Sequence, residues 1–431
     1  MSKFISRGCL GALVFIGIAG GAVSEAVAQG ADYQRPSYGA RGIGQGDWIF
    51  VPRLRSVFQR PRPDYDPLGV RLGNWDFNPE ITFSGSYDDN IFADEDDTTD
   101  DFILEATPAF RLQSDWNVHM LGFEGAVTGQ KYIQEEDQDN VQGTGTAFGR
   151  LDVTRDDIVY GSASYRREVE DHSDPEDAGD DALTELDRYI ARVGYAHQFS
   201  RVNLRVDARG QRLDYLEFPD NDRDRNQLDV GARAEYALSP RITPFVEGGF
   251  QRRDFDASVD DSGVDRDSQQ YAALVGARFV ITDLLFAELA VGVEHTEFDE
   301  PTFDPLTSPQ VRGSLIWNPT QLTSVILQAQ RTEDPTTQAG ASSKVRTGVG
   351  LRVEHELLRN LLLFGEAGYR NEEFEDIDRT DHRFLAGLGG EYLLDRNFSF
   401  FANYTFEDRV SDGADAEFTR NTVMIGTRLQ Y

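Results

Sequence analysis

The chain has 431 residues and is strongly acidic, with 75 Asp and Glu residues against 42 Lys and Arg residues and a net charge of −33 at pH 7. An acidic chain repels phosphate, which argues against a nucleic-acid-binding protein. After the first 28 residues no run of eighteen apolar residues occurs, so no transmembrane helix is expected.

Residues 1–28 have the features of a secretory signal peptide. Lys3 and Arg7 form a positive amino-terminal region, a short apolar stretch follows, and Ala-Val-Ala at the end is a small-residue cleavage site. Cleavage is therefore expected between Ala28 and Gln29, with an uncleaved membrane anchor as the alternative. The only cysteine of the chain lies in this segment, so no disulfide is expected in the mature protein.

Residues 29–76 are rich in proline and glycine, do not alternate, and are locally basic between Arg53 and Arg71. Proline excludes a long helix here. Three interpretations remain open for this segment. It is a periplasmic tether, a disordered leader, or a segment that folds into a barrel lumen, where its arginines would meet carboxylates.

Residues 77–431 repeat one pattern, in which two alternating segments joined by a short turn are followed by a longer acidic loop. Eighteen such segments, from 79–87 to 420–431, have the length that a tilted strand needs to cross a bilayer. An even number lets the first and the last strand of the barrel place both chain ends on one side of the membrane. The sequence predicts an all-β fold: a transmembrane antiparallel up-and-down β-barrel of about eighteen strands, preceded by a short non-barrel segment. A soluble β-propeller is the alternative.

The turns and loops predict the orientation. Tight turns such as Ser200-Arg201 and Ser239-Pro240-Arg241 would be periplasmic, and the acidic loops would face outward. We expect these loops to be solvated rather than to bind Ca²⁺, because they contain no EF-hand or nonapeptide repeat. No loop is clearly dominant in length, which favours a wide lumen or a lumen closed by residues 29–76.

The two faces of each segment differ in chemistry. One face is apolar and aromatic, as contact with lipid requires. The other carries arginines and carboxylates in nearly equal number, which a packed core could not hold but a water-filled lumen could. For each charge the alternative is a cross-strand ion pair that only stabilises the wall. The candidate lumen charges are Arg192, Arg205, Arg209, Arg233, Glu235, Glu247, Glu288, Arg352, Glu354, Glu366 and Arg370.

The sequence gives no indication of catalysis or of a cofactor. Five of the six histidines fall on the lipid-facing side of their segments, each near a segment end, and the sixth, His172, lies in a loop. No serine is placed beside a histidine in a hydrolase motif, as nucleophilic catalysis would require. We therefore expect a protein that is not an enzyme and has no cofactor.

The last segment alternates to the carboxy-terminus and ends on an aromatic residue. Leu429 and Tyr431 are the candidate assembly signal of an outer-membrane barrel. The expected partners are outer-membrane lipid and lipopolysaccharide and the barrel assembly machinery. The expected location is the bacterial outer membrane.

Three stretches carry a family resemblance: the run from Tyr65 to Gly73, then Phe77-Asn-Pro, then Tyr87-Asp-Asp-Asn-Ile-Phe-Ala93. Together they resemble the putative beta-barrel porin 2 family of outer-membrane proteins. Some members look like components of exopolysaccharide production and export. The resemblance therefore implies a channel that exports an exopolysaccharide together with periplasmic polysaccharide-export proteins. A passive or substrate-selective porin for small solutes is the alternative, and a surface structural or adhesive barrel is a third hypothesis. The family brings no catalytic or binding residues.

Overall fold

The structure is a computed structural model that describes residues 55–176, 182–216, 220–413 and 416–431. The predicted signal peptide and its cleavage site between Ala28 and Gln29 lie outside the described residues, so that assignment stays a prediction.

Nearly all of the described chain is β-strand, with two short 3-10 helices at Glu136–Gln138 and Asp220–Arg223. None of the described helical segments is long and apolar enough to cross a membrane. The strands are β1 Val70–Leu72, β2 Trp75–Asp88, β3 Asp101–Ser114, β4 Met120–Tyr132, β5 Asn140–Asp152, β6 Asp157–Val169, β7 Glu185–Phe199, β8 Val202–Tyr215, β9 Arg225–Tyr236, β10 Ile242–Phe255, β11 Ser268–Thr282, β12 Leu285–Phe298, β13 Leu306–Thr320, β14 Thr323–Asp334, β15 Lys344–Leu358, β16 Leu361–Phe374, β17 Arg379–Leu393, β18 Phe398–Ser411 and β19 Phe418–Gln430.

Strands β2 to β19 form one closed barrel. Each strand is antiparallel to the next, and β19 returns to β2 with Leu429 opposite Ile81. Closure leaves no strand edge with unpaired backbone groups, which a membrane would not tolerate. The short β1 adds a hairpin to the start of β2, with Val70 opposite Phe77.

The predicted count of eighteen barrel strands is confirmed, and the sequence missed only β1. Strand β2 begins at Trp75, two residues before the predicted start of the barrel. Several strands run beyond the predicted segments: β14 ends at Asp334 and β18 ends at Ser411, whereas the alternation ends at 331 and 407. Val410 is the one apolar residue in these two extensions, so hydrophobic periodicity cannot mark them.

Short turns and long loops separate to opposite ends of the barrel. Strands β7 and β8 are joined by residues 200–201 and β15 and β16 by residues 359–360, whereas residues 170–184 connect β6 to β7 at the other end. In outer-membrane barrels the short turns are periplasmic and the long loops extracellular. The two ends are named accordingly below.

The outer and inner faces of the wall have the predicted chemistry. Large apolar side chains on the outer face are exposed, for example Ile425 at 64% and Leu388 at 60%. This exposed surface is what a lipid bilayer covers. The charged side chains of the same strands point inward, and many of them are buried.

Candidate functional site

The barrel lumen is the candidate site, and four of its predicted charges form one buried cluster. The Arg233 guanidinium lies 2.8 Å from Glu235, 3.0 Å from Glu288 and 3.5 Å from Glu247. Each of the four residues is at most 5% exposed. Arg278 lies 3.0 Å from Glu235 and Arg312 lies 2.8 Å from Glu247, so three guanidinium groups balance the three carboxylates. For this cluster the structure shows the ion-pair arrangement rather than charges open to a water-filled channel.

A second group lies on β15 and β16. The Arg352 guanidinium is 3.1 Å from Glu354 and 2.6 Å from Glu366, and Arg370 is 3.7 Å from Glu372. The Arg352–Glu366 contact links the two strands, the other two pairs lie within one strand, and each cation is again paired with a carboxylate. The inner surface of β15 and β16 is therefore electrostatically balanced.

Arg192, Arg205 and Arg209 are half-buried on β7 and β8, in a different environment. Arg205 pairs with Asp207 at 2.6 Å. Arg192 and Arg209 are cross-strand neighbours, so two guanidinium side chains extend from adjacent positions of the wall. Arg209 donates a hydrogen bond to the neutral Gln211. Among the described residues no carboxylate oxygen lies within 4.0 Å of the Arg209 guanidinium.

The loop after β6 crosses the extracellular mouth. Its Glu176 carboxylate lies 2.9 Å from the Lys344 ammonium at the start of β15, nine strands further around a barrel of eighteen. Glu176 also accepts hydrogen bonds from Thr336 and from the backbone and hydroxyl of Thr337. We refer to the described loop residues 170–176 as the crossing loop.

The middle of the crossing loop is held by three arginines of the far wall. The Arg383 guanidinium donates to Ser173 Oγ at 2.6 Å, and Arg409 donates to the Ser173 carbonyl at 2.8 Å. Arg420 donates to the Asp171 carboxylate at 3.1 Å. Each of these bonds involves a charged group, which makes them stronger than neutral hydrogen bonds.

A further contact ties the crossing loop to its neighbours. Gln338, in the connection between β14 and β15, donates to the Pro175 carbonyl at 2.5 Å and accepts from Arg379 at 3.1 Å. The backbone carbonyl of Gln338 accepts a hydrogen bond from the Arg266 guanidinium at 3.2 Å, and Arg266 lies in the connection between β10 and β11. Gln338 thus joins three loops, and together they cover part of the mouth.

The acidic anchors of the crossing loop are stabilised in their charged form. Burial raises the pKa of Glu176, but the Lys344 ammonium and the donors of Thr337 lower it more, to about 2. The Arg420 guanidinium and the donors of Ser173 hold the pKa of Asp171 well below its usual range. Both carboxylates are therefore ionised at neutral pH, as their ion pairs require.

The crossing loop corrects the expectation that no loop would dominate the lumen. Loop length could have indicated this loop from the sequence, because residues 170–184 form the longest connection between barrel strands. The sequence could not give the direction of this loop, since its partners Lys344, Arg383, Arg409 and Arg420 lie far away in the chain.

A second segment covers the periplasmic mouth. Val57 and Phe58 are 0% and 3% exposed and pack on an apolar patch of the inner wall formed by Leu362, Phe364 and Leu393. Phe58 and Phe364 meet edge to face, with ring centroids 6.2 Å apart. We refer to residues 55–68 as the lumenal segment.

Polar contacts fix the lumenal segment on β13 and β15. Arg62 pairs with Glu356 at 2.8 Å, and Arg60 donates to Asn318 at 2.8 Å. The backbone amide of Phe58 donates to Glu354 at 3.0 Å. In residues 55–68 an arginine thus meets a carboxylate of the inner wall. The rest of the predicted segment from residue 29 lies outside the described residues.

The histidines of the strands and the end of the final strand take no part in the contacts of the crossing loop or the lumenal segment. The register places His197, His295, His355 and His382 on the outer face, as predicted, whereas His119 precedes β4 and has no cross-strand partner in the register. Among the described residues no group of three or more His, Cys, Asp or Glu side chains is arranged to hold a metal ion. Leu429 and Tyr431 are exposed on the outer face, where a bilayer would contact them. Their role as an assembly signal stays a prediction.

The family profile described as "Putative beta-barrel porin 2" matches residues 62–431, which include the whole barrel. The chain belongs to this family. It is an outer-membrane, porin-like β-barrel channel, and its location in the bacterial outer membrane follows from the family and the fold.

Three solved structures are similar to this chain over most of its length. OpdK from Pseudomonas aeruginosa is 11% identical, with 83% of this chain and 99% of that chain covered and a TM-score of 0.46. OccK2 (OpdF) from the same organism is 9% identical, with 82% and 98% covered and a TM-score of 0.49. OccAB4 from Acinetobacter baumannii is 10% identical, with 86% and 100% covered and a TM-score of 0.45. No curated protein matches the sequence. At these scores the similarity gives no information about the transported solute.

Proposed function

We propose that this family member is a substrate-selective porin that lets small solutes diffuse across the outer membrane. The observation that carries the proposal is the crossing loop, which reaches from β6 to Lys344 on the opposite wall. A loop held across a barrel mouth narrows the opening and leaves the wall intact. That arrangement suits a channel that discriminates between small solutes.

Export of an exopolysaccharide, the first hypothesis from the sequence, fits this arrangement less well. A polymer threading the lumen would have to pass the crossing loop at one end and the lumenal segment at the other. Both are fixed by several buried contacts, including the Glu176–Lys344 and Arg62–Glu356 ion pairs. Displacing them would leave buried charges without partners, which is costly. Nothing in the comparisons with known proteins supports export.

Solute permeation through the purified barrel tests the proposal. The protein would be reconstituted in liposomes, and swelling rates measured with neutral sugars from pentose to tetrasaccharide and with dextran. We expect pentoses and hexoses to enter and the rate to fall steeply with size. Equal rates for tetrasaccharide and monosaccharide would contradict a narrowed porin.

A deletion strain separates the two functions in the cell. On the porin hypothesis, secreted polysaccharide stays at the parental level while uptake of at least one small nutrient becomes slower. Loss of secreted polysaccharide with normal nutrient uptake would return the assignment to export, with periplasmic export proteins as partners. Complementation with the full gene is the control for both readouts.

A further inference from the structure

The first and the last strand of the barrel meet at a seam that no turn or loop connects. Strands β2 and β19 pair from Thr422 opposite Asp88 to Gln430 opposite Glu80, whereas every other pair of neighbouring barrel strands is consecutive in the chain. Thr422 and Asp88 are 334 residues apart, and bringing such distant segments together costs more chain entropy than closing a hairpin. The seam therefore depends on contacts between the two strands and whatever else holds them together.

The paired register of the seam stops before the extracellular end of β19. Strand β2 ends at Asp88, so residues 418–421 of β19 lie where β2 has already ended. Backbone groups without a partner are costly when they are buried, and they attract other strands when they are exposed. The upper part of β19 therefore needs partners that β2 does not provide.

The loop after β2 supplies these partners. The Asp89 carboxylate accepts hydrogen bonds from the backbone amide of Asn421 at 2.6 Å and from its side-chain amide at 2.8 Å. The Asp89 backbone amide donates to the Asn421 carbonyl at 3.2 Å. Beside them, Thr422 Oγ1 donates to the Asp88 carboxylate at 2.9 Å. Bonds to a carboxylate are stronger than bonds between neutral groups, so this loop holds β19 firmly.

Asn90 is the centre of the loop, and its side chain is fully buried. Its amide nitrogen donates to the Thr419 carbonyl at 3.1 Å and to the Asp94 carbonyl at 2.7 Å. Its amide oxygen accepts from the Asp94 backbone amide at 3.0 Å. The chain turns back toward Asn90 at Ala93, which lies in the left-handed region with a φ of 58°. One side chain thus fixes the shape of the loop and binds it to β19.

We propose that residues 88–94 form a latch that holds the seam shut at the extracellular end of the barrel. The latch overlaps the run from Tyr87 to Ala93 that carries part of the family resemblance. At the periplasmic end of the seam the Tyr431 amide donates to the Pro79 carbonyl at 3.2 Å. The two ends of the seam are therefore held by different contacts. The latch acts whichever solute the channel carries.

The isosteric variant N90D tests the latch. The substitution keeps the size of the side chain but replaces the two amide donors with a carboxylate oxygen that faces two carbonyl groups. Folded wild type and N90D would be incubated in urea, and the heat-modifiable band followed over time. Because two buried bonds are lost, we expect N90D to unfold at least about tenfold faster. N221D makes the same change at an exposed asparagine of another extracellular loop and should unfold at the wild-type rate.

A disulfide across the seam tests whether the latch acts at that place. The bond between the Asp89 amide and the Asn421 carbonyl marks a hydrogen-bonded pair, so Ser86 and Met424, three positions further on, form a non-hydrogen-bonded pair. Such pairs bring the two Cα atoms closest, within the range of a disulfide. Oxidation of S86C/M424C/N90D should remove most of the difference from oxidised S86C/M424C, and reduction should restore it.

Hydrogen exchange of the wild type decides the question even where N90D does not fold. The Asn421 amide lies beyond the paired register, and the latch should make its exchange as slow as that of the Val423 amide within the seam. Exchange of Asn421 at the rate of a frayed strand end would overturn the latch. Equal unfolding rates for N90D and wild type would also overturn it. So would fast unfolding of N90D that the oxidised seam disulfide leaves unchanged.

Discussion

Glu176 and Lys344 stand half a barrel circumference apart by strand order, yet their charged atoms are 2.9 Å apart. This pair fastens the crossing loop to the far wall. Lys344 is only 4% exposed and Glu176 accepts three further hydrogen bonds, so the contact is buried and well satisfied. Breaking a buried pair from one side typically costs about 3–5 kcal/mol, because the other charge is left alone.

Removal of the charge at Glu176 should release the crossing loop. We expect E176Q to raise single-channel conductance, because Lys344 loses its counter-ion and the loop end is freed. E95Q is the matched control, since Glu95 is an exposed acid in another extracellular loop. Planar-bilayer recordings of the three proteins check this. Identical conductance in E176Q and wild type would show that the pair does not hold the loop.

The same pair predicts an acid transition. The folded-state pKa of Glu176 is about 2, below its ordinary value, so its contribution to loop attachment is complete above about pH 4.5. That contribution is lost as pH falls toward about 2. Wild-type conductance should therefore be constant from pH 8 to pH 5 and rise below about pH 4.5. Burial raises the pKa of the neighbouring Glu170, which titrates in both proteins. The difference between wild type and E176Q therefore isolates Glu176, and a difference confined to pH 6–7 would point to another group.

The lumenal segment depends on the burial of one aromatic ring. Phe58 is 3% exposed against Phe364, and loss of a buried Phe side chain costs about 3–5 kcal/mol. F58A should detach residues 55–68 from the wall while the barrel still assembles. Hydrogen exchange of the Phe58 amide, which donates to Glu354, should become fast. L68A is the control, because Leu68 is 76% exposed in the same segment. Unchanged protection of the Phe58 amide in F58A would mean that the polar contacts alone hold the segment.

Accessibility from outside the cell tests the orientation. The one native cysteine lies in the predicted signal peptide, so single cysteines can be introduced at chosen sites. Cysteines at Asp96 and Asp137, both exposed in long loops, should react with an impermeant maleimide in intact cells. A cysteine at Pro240, exposed in a short turn, should react only after the outer membrane is permeabilised. The reverse labelling pattern would invert the topology.

The final strand should decide assembly. The double substitution L429D/Y431D places two charges on the outer face next to lipid and removes the aromatic end. Charge on the lipid face costs up to about 2–4 kcal/mol at the midplane and less near the interface, so the larger effect is expected through the assembly machinery. Q430D changes the polar face of the same strand and is the control. A normal heat-modifiable band for L429D/Y431D in outer-membrane fractions would refute the role of these residues.

The sequence alone determined the barrel, because lipid and lumen impose opposite requirements on alternate residues. Val193 and Tyr195 outward with Arg192 inward follow from a period of two, and the strand number follows from the repeats. Strand length was less certain where both faces are polar, as at Glu333 and Asp334.

The tertiary structure decided what lies inside the barrel. Nothing local to Glu176 or Phe58 marks Lys344 or Phe364 as a partner, because those partners lie on strands that only closure of the sheet brings across the lumen. The pairing register of the strands decided which charges lie next to one another on the inner face. The sequence placed Arg192, Arg209 and Arg233 on one face, and only the strand pairing made Arg233 the centre of three carboxylates and Arg192 the neighbour of Arg209. A charge's role depends on its cross-strand neighbours, and these are set by interactions distant in the chain.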